Sequence, residues 1–263
     1  MERIEACARR LFSEHREKRP IDGFLPDEVR PRDVDEAYRV QDRLQALYLE
    51  GGKRITGWKV ALTTKVMQQL VGVEHPLEGA IFADRVHASP ARLRGADYGK
   101  LAVEREIAVR LDRDLPGGAK PHDRASVAEA VAACMAGIEI VDDRACDYKR
   151  HLDRMQLIAD NAWNFGCVVG PEVADWRRLD LAAAKGRMRI NGEVVGEGKG
   201  GDVLGHPFEA LAFLANSLNR RGKLLHAGDV VLTGSVVATK WLKPGDEMST
   251  EIDGLGEARL SVI

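Results

Sequence analysis

The sequence predicts a β-rich α+β fold. Helical periodicity is concentrated in the first fifty residues, whereas the remainder is crowded with short apolar runs bounded by Gly, Pro or Asp and shows no regular strand–helix alternation. Within that second part, MRINGEVVGEG places Asn191-Gly192 between alternating apolar positions, a strong local signal for a hairpin.

Taken in order, Ile4, Ala8, Leu11 and Phe12 recur at helical spacing. After a Pro-rich stretch (20–31), Asp33 with Glu36 three residues on resembles a capping box. Val34, Ala37, Tyr38, Leu44, Leu47 and Tyr48 form one stripe, and Gly51-Gly52 ends that helix. A further helix is expected over 126–137, where Val127, Val131, Cys134 and Ile138 keep helical spacing, and another over 207–219, opened by His206-Pro207. Strands are expected at 57–62, 79–82, 103–111, 137–142 and 228–234, and the last fifteen residues read as a second hairpin. A small helical part (1–55) is therefore expected to pack on a larger β-rich catalytic part (56–263).

Composition narrows the function classes. The 263 residues are 44% hydrophobic and 30% charged, the balance of an ordinary globular protein. With 39 Lys+Arg against 41 Asp+Glu, the formal charge of −2 gives no reason to expect a nucleic acid or an anionic membrane as partner. No apolar run approaches membrane-spanning length, and the N-terminus has no apolar core of a signal peptide. Cys7, Cys134, Cys146 and Cys167 are scattered and form no CxxC pair, so a reduced, cytoplasmic protein is expected.

The most informative segment is Val103-Glu104-Arg105-Glu106-Ile107. On a strand, Glu104 and Glu106 share a face with Cα atoms about 7 Å apart, while Val103, Arg105, Ile107, Val109 and Leu111 face the other way. Two carboxylates so placed repel each other unless a cation lies between them, and hard oxygen ligands suit Mg²⁺, Mn²⁺ or Ca²⁺. For two acids alone, a solvated polar face is the plainer reading. Glu139 is a third acid, set between Ile138 and Ile140, where a carboxylate is costly unless it ligates a metal or pairs with a base such as Arg105, Arg110 or Arg144. Lys59 shares a strand face with Gly57 and Ala61, which leaves room beside its ammonium for a small ligand; an edge position that discourages aggregation is the plainer reading. Asp160-Asn161 and Thr233-Gly234-Ser235 offer polar groups that suit either turn chemistry or a substrate carboxylate. The GEGKGG run (196–201) resembles a phosphate loop only in its glycine content, and no cysteine stands in a nucleophile context.

Together GWKVALTTKVMQ (57–68), VEREIAVRL (103–111), GIEIVDDR (137–144), IADNA (158–162), NGEVVGEG (191–198), VLGHPFEALAFLAN (203–216) and GDVVLTGS (228–235) resemble, in order, the motifs of the 2-keto-4-pentenoate hydratase family of the fumarylacetoacetate hydrolase-like superfamily. The resemblance spans about residues 33–263. It implies a mixed β-sheet rolled into a partly closed, barrel-like core, Mg²⁺ or Mn²⁺ held by Glu104, Glu106 and Glu139, and Lys59 as a catalytic residue. Asp160, Asn161, Trp163, Thr233 and Ser235 are the candidate substrate-binding residues. The implied reaction is a hydro-lyase step in aromatic catabolism, water adding to a 2-hydroxy-2,4-dienoate to give a 4-hydroxy-2-oxo acid. Decarboxylation of a 2-oxo-3-hexenedioate (4-oxalocrotonate), a related C–C lyase or hydrolase reaction, and an inactive partner subunit are the alternatives. A decarboxylase substrate carries a second carboxylate, for which Lys65, Arg85 and Lys240 are candidate partners. A homo-oligomer, and a complex with a pathway enzyme, are also implied.

Two positions depart from the family pattern. Leu77 stands where an acid is usual, with Glu78 one residue later and so on the opposite strand face. Trp163 stands where a small serine is usual, filling space or lining an apolar pocket.

Overall fold

Segments whose caps and alternation are explicit in the sequence fold accordingly in the computed structural model, which describes residues 1–263. The order is α1 (Glu2–Glu17), α2 (Val34–Glu50), β1 (Ile55–Ala61), α3 (Lys65–Val71), β2 (Leu77–Phe82), β3 (Val86–Ala88), β4 (Ala91–Leu93), β5 (Leu101–Leu111), α4 (Arg124–Ala128), β6 (Val131–Asp142), α5 (Arg154–Ala159), β7 (Asn164–Val169), β8 (Lys185–Ile190), β9 (Glu193–Lys199), α6 (Pro207–Arg220), β10 (Val230–Ser235), β11 (Lys240–Trp241), β12 (Glu247–Ile252) and β13 (Gly256–Val262). Asp33 caps α2 by accepting from the Glu36 amide, while the Glu36 side chain accepts from the Arg32 amide rather than from the cap residue itself. His206 opens α6 with its Nδ1 accepting from the Phe208 amide. Asn191 and Gly192 both adopt positive φ in the β8–β9 hairpin, and β12–β13 form the C-terminal one.

One expectation fails. The stretch 126–137 is not a helix: α4 ends at Ala128 and β6 begins at Val131. Cys134, Ala136, Ile138 and Ile140 enter the main core, while Met135, Gly137 and Glu139 face the other way, and both faces are buried. A doubly buried strand is a near-continuous apolar run, which periodicity does not separate from a helix.

Eight strands form one sheet in the order β2-β1-β10-β5-β6-β7-β3, with β11 added alongside β5. Its pairing is mixed: β1 runs parallel to β10, whereas β5, β6 and β7 are antiparallel. The sheet rolls until β2 lies against β7, giving a partly closed barrel. The seam is tight at Gly79, where an added Cβ would come within 2.4 Å of the Asn161 carbonyl oxygen. A second sheet, ordered β4-β13-β12-β8-β9, covers the outer face of β6 and β7. Between the layers lies the largest apolar cluster, including Val103, Ile107, Val109, Ile138 and Ile140. Helix α6 packs on β10 and β1, while α1 and α2 cover the end of the barrel through Leu11, Leu44 and Tyr48, in one cluster with Leu77 and Trp163. No helix is long and apolar enough to cross a membrane.

Candidate metal centre inside the barrel

Strand register determines what points inward. Glu104 lies directly opposite Glu139, Glu106 opposite Gly137 and Ala108 opposite Met135 across β5 and β6. Lys59 lies opposite Gly79 of β2 and beside Leu232 of β10. Ile81, Ala108, Met135, Cys167, Val230 and Leu232 form a small apolar floor. One layer above it the same strand faces carry Lys59, Glu104, Glu106 and Glu139, whose three carboxylates each offer an oxygen within 4.8 Å of the others.

Each acid is held from one side. Asn164 Nδ2 donates to Glu139 Oε1 at 2.9 Å, and Lys59 Nζ lies 3.1 Å from the same oxygen. The Gly234 amide donates to Glu106 Oε2 at 2.5 Å, and the Thr239 hydroxyl donates to Glu104 Oε1. Gly234 has φ +117° and a Cβ there would collide with Thr63 at 2.4 Å, so only glycine presents its amide in this way. Glu106 Oε1 and Glu139 Oε2 are buried with no hydrogen-bond partner. Two orphaned carboxylate oxygens in a buried interior are costly, and an oxygen-loving divalent cation would supply the missing partner. Three carboxylates against one ammonium also leave an excess of negative charge that such a cation offsets. Burial, then the charge of Glu139, pushes the Glu104 carboxyl up to about 7, with Lys59 and Thr239 opposing the rise. Burial, Glu139 and Glu104 hold Glu106 well above the usual carboxylate range.

The bases considered as partners for Glu139 are elsewhere. Arg105 leaves the opposite face of β5 toward the second sheet, Arg110 pairs with Glu172, and Arg144 pairs with Asp160. Glu78 likewise turns away from Lys59. Its buried carboxylate accepts from Tyr38 (2.9 Å), Ser217 and Arg221 (both 2.8 Å), tying α2 and α6 to β2, whereas Leu77 stays on the Lys59 face.

None of the expected substrate-binding side chains hydrogen-bonds to the three acids. Asp160 is buried, its carboxylate engaged by Arg144 (2.9 Å) and His15; against the upward push of burial, the Arg144 charge and these hydrogen bonds hold it below the usual carboxylate range. The Asn161 side chain brackets Ala80, accepting from its amide at 2.8 Å and donating to its carbonyl at 2.9 Å. Thr233 donates to the Ile107 carbonyl and Ser235 to that of Val237. Trp163 is buried and stacked on Tyr148, ring centroids 5.5 Å apart. Their sequence neighbours Asn164, Gly234 and Thr239 touch the acids instead. No local pattern announces Thr239 or the Gly234 amide; Asn164, the polar residue that ends a strained turn, is the one signal that could have been read.

Fold and site together define an enzyme scaffold: a rolled sheet whose interior gathers three carboxylates that could hold a metal ion, beside a buried lysine. The family model for the fumarylacetoacetate (FAA) hydrolase C-terminal region matches residues 75–263. The chain is 36% identical to 2-keto-4-pentenoate hydratase of Burkholderia vietnamiensis, over 97% of this chain and 96% of that protein. It is 34% identical to 2-hydroxyhexa-2,4-dienoate hydratase of Comamonas testosteroni, over 96% and 95%. Among solved structures, 4-oxalocrotonate decarboxylase from Pseudomonas putida G7, complexed with magnesium and adipate, superposes with a TM-score of 0.91 at 27% identity, covering 100% of this chain and 98% of that one. The chain belongs to the 2-keto-4-pentenoate hydratase family of the fumarylacetoacetate hydrolase-like superfamily.

Proposed function

We propose that this protein is a divalent-metal-dependent hydratase that adds water to a 2-hydroxy-2,4-dienoate, giving a 4-hydroxy-2-oxo acid in the breakdown of aromatic compounds. The observation that carries the reading is the convergence of Glu104, Glu106 and Glu139 within 4.8 Å beside Lys59. The similarity to two named hydratases supports it.

In this reading Glu104, Glu106 and Glu139 hold Mg²⁺ or Mn²⁺, which would draw electron density from the carboxylate and 2-oxo oxygens of the substrate. Asn164, the Gly234 amide and Thr239 keep the three acids in rotamers that leave their other oxygens turned to the ligand. Lys59 Nζ lies 3.1 Å from Glu139 and beside the space a substrate would fill, so it is placed to deliver or receive the proton moved when the dienol becomes the 2-oxo-3-enoate. Water then adds across the C3–C4 double bond, hydroxyl at C4 and proton at C3. The apolar floor and the helical cover keep bulk water from the oxygens that gain charge. The same reading treats residues 1–55 as that cover on a catalytic unit of 56–263. It also includes self-association: Val66 and Leu70 of α3 are largely exposed, with no cover from the rest of the chain.

A second reading, decarboxylation of a 2-oxo-enedioate, draws on the likeness to the magnesium- and adipate-bound decarboxylase. The deciding assay supplies freshly generated 2-hydroxypenta-2,4-dienoate with Mg²⁺ or Mn²⁺ and then EDTA. Loss of dienol absorbance that EDTA stops, with 4-hydroxy-2-oxopentanoate as product, is the expected result. Release of CO₂ from the enedioate without hydration of the dienoate would favour the second reading.

A further inference from the structure

We propose that Tyr148, Trp163 and Trp241, fixed by Asp143, form a rim above the carboxylates that selects a substrate whose tail carries no charge. This rests on the α-keto acid reading of the metal centre and adds what the far end of the substrate must be.

One register step above the Glu104–Glu139 pair, the inward-facing pair is Ala102 and Val141. Trp241 of β11 lies opposite Ala102 and so rises from the same face as Glu104, while its neighbour Lys240 lies opposite Val103 and faces away. On the other side Leu77 pairs with Ala61, one step from Lys59 on the same face. The wall immediately above the acids is therefore apolar on both sides.

Tyr148 closes it. Its ring stacks on Trp163 and meets Trp241 edge-on, centroids 6.1 Å apart. The Tyr148 hydroxyl and the Trp241 indole both donate to the same oxygen of Asp143, at 3.0 and 2.8 Å, and the other oxygen accepts from the Ala145 amide at 3.0 Å. Asp143 is 0% exposed, so one buried carboxylate orients two of the three rings. The third is placed by backbone strain. Asn161, Ala162 and Trp163 all have left-handed φ (55°, 48° and 57°), a conformation costing roughly 1–2 kcal/mol for each such residue. The turn is pinned at its ends by Asn161 on Ala80 and Asn164 on Glu139. Strain retained between two anchors, one of them on a proposed metal ligand, marks a built position for the indole.

A second carboxylate would meet this rim poorly. It would lose its water against aromatic carbon, with the Asp143 charge behind the rings. None of the candidate cations has a contact with the Tyr148, Trp163 and Trp241 rings. Lys65 donates to Gln68, Arg85 lies 3.9 Å from the Phe165 ring centroid, and Arg144 is paired with Asp160. Lys100, 4.9 Å from the Trp241 ring, is exposed on its outer side. The buried Trp163 indole N–H has no partner and supplies no positive charge to a tail lying against it.

The test is calorimetric binding of 2-oxohexanoate and 2-oxoadipate to the Mg²⁺-loaded protein, alongside dienoate turnover. The wild-type protein is expected to bind 2-oxohexanoate at least about tenfold more tightly, roughly 1.4 kcal/mol. Trp163→Arg should reverse the order, Asp143→Asn should narrow it, and Trp163→Phe should keep it. Equal or tighter binding of 2-oxoadipate by the wild-type protein overturns the proposal, as does an unchanged preference in both Trp163→Arg and Asp143→Asn. Retained binding preference with no hydration of any dienoate would remove the reaction and leave the rim standing. Hydration without the preference would do the opposite.

Discussion

Glu104 and Glu139 face each other as a direct pair across β5 and β6, the arrangement in which two like charges on neighbouring strands destabilise a sheet most. Lys59 reaches only one of them, at 3.1 Å. A pair kept under those conditions suits a shared cation, as the proposed metal centre requires.

Replacing Glu104, Glu106 or Glu139 singly by Gln should lower Mg²⁺ or Mn²⁺ affinity by at least about a hundredfold, near 3 kcal/mol, without unfolding the protein. Calorimetric titration with circular dichroism as the fold control checks this. Stoichiometric metal retained by any two of the three variants would remove the proposed centre.

Cation affinity should rise with pH through about 7. Burial and the charge of Glu139 raise the Glu104 carboxyl to about 7, so below that pH the cation must displace a proton and above it the carboxylate is already free. Titrations in buffers of different ionisation enthalpy should therefore show protons released at pH 6 and fewer at pH 8. A flat profile over that range would contradict the geometry.

Lys59→Met should separate binding from chemistry. The Glu139 oxygen loses an ammonium but keeps Asn164, so the cation should still bind. Turnover should fall by about 10²–10⁴, the usual cost of losing a positioned proton carrier. Loss of metal together with activity would make Lys59 a structural counter-charge instead.

Arg144→Met should cost about 3–5 kcal/mol, because it leaves Asp160 buried with His15 as its remaining basic partner. Urea unfolding measures it. Because Asp160 touches none of the three acids, metal affinity of the folded fraction should hardly move.

Much of this arrangement is legible in the sequence because it is local. Alternation along one strand puts Glu104 and Glu106 on a common face, and the isoleucines around Glu139 mark its burial. Caps and the Asn191-Gly192 pair act within a few residues and are found where expected. What is not legible depends on distant partners. The 126–137 segment reads as a helix because the sheet that buries both its faces is assembled from elsewhere. Asp160 and Thr233 carry polar groups that suit a ligand, but Arg144, His15 and the Ile107 carbonyl engage them first. Conversely, Asn164 and Thr239 sit in unremarkable stretches and gain meaning only when the barrel closes.

The polar bonds around Glu78 also bear on how the chain behaves when cut. Tyr38 and Gln41 of α2 bond to Glu78, Gln41 also to the Ile158 carbonyl, and Gln45 to Asn161. The linker that follows, Gly51-Gly52-Lys53, is the natural point for trypsin to nick. A break there severs the covalent link but none of these bonds, and dissociating α2 would take the Tyr38 hydroxyl from Glu78 Oε2 and bare the apolar face it covers. The nicked protein should therefore elute as one particle with its cation site intact, its two fragments separating only in denaturant.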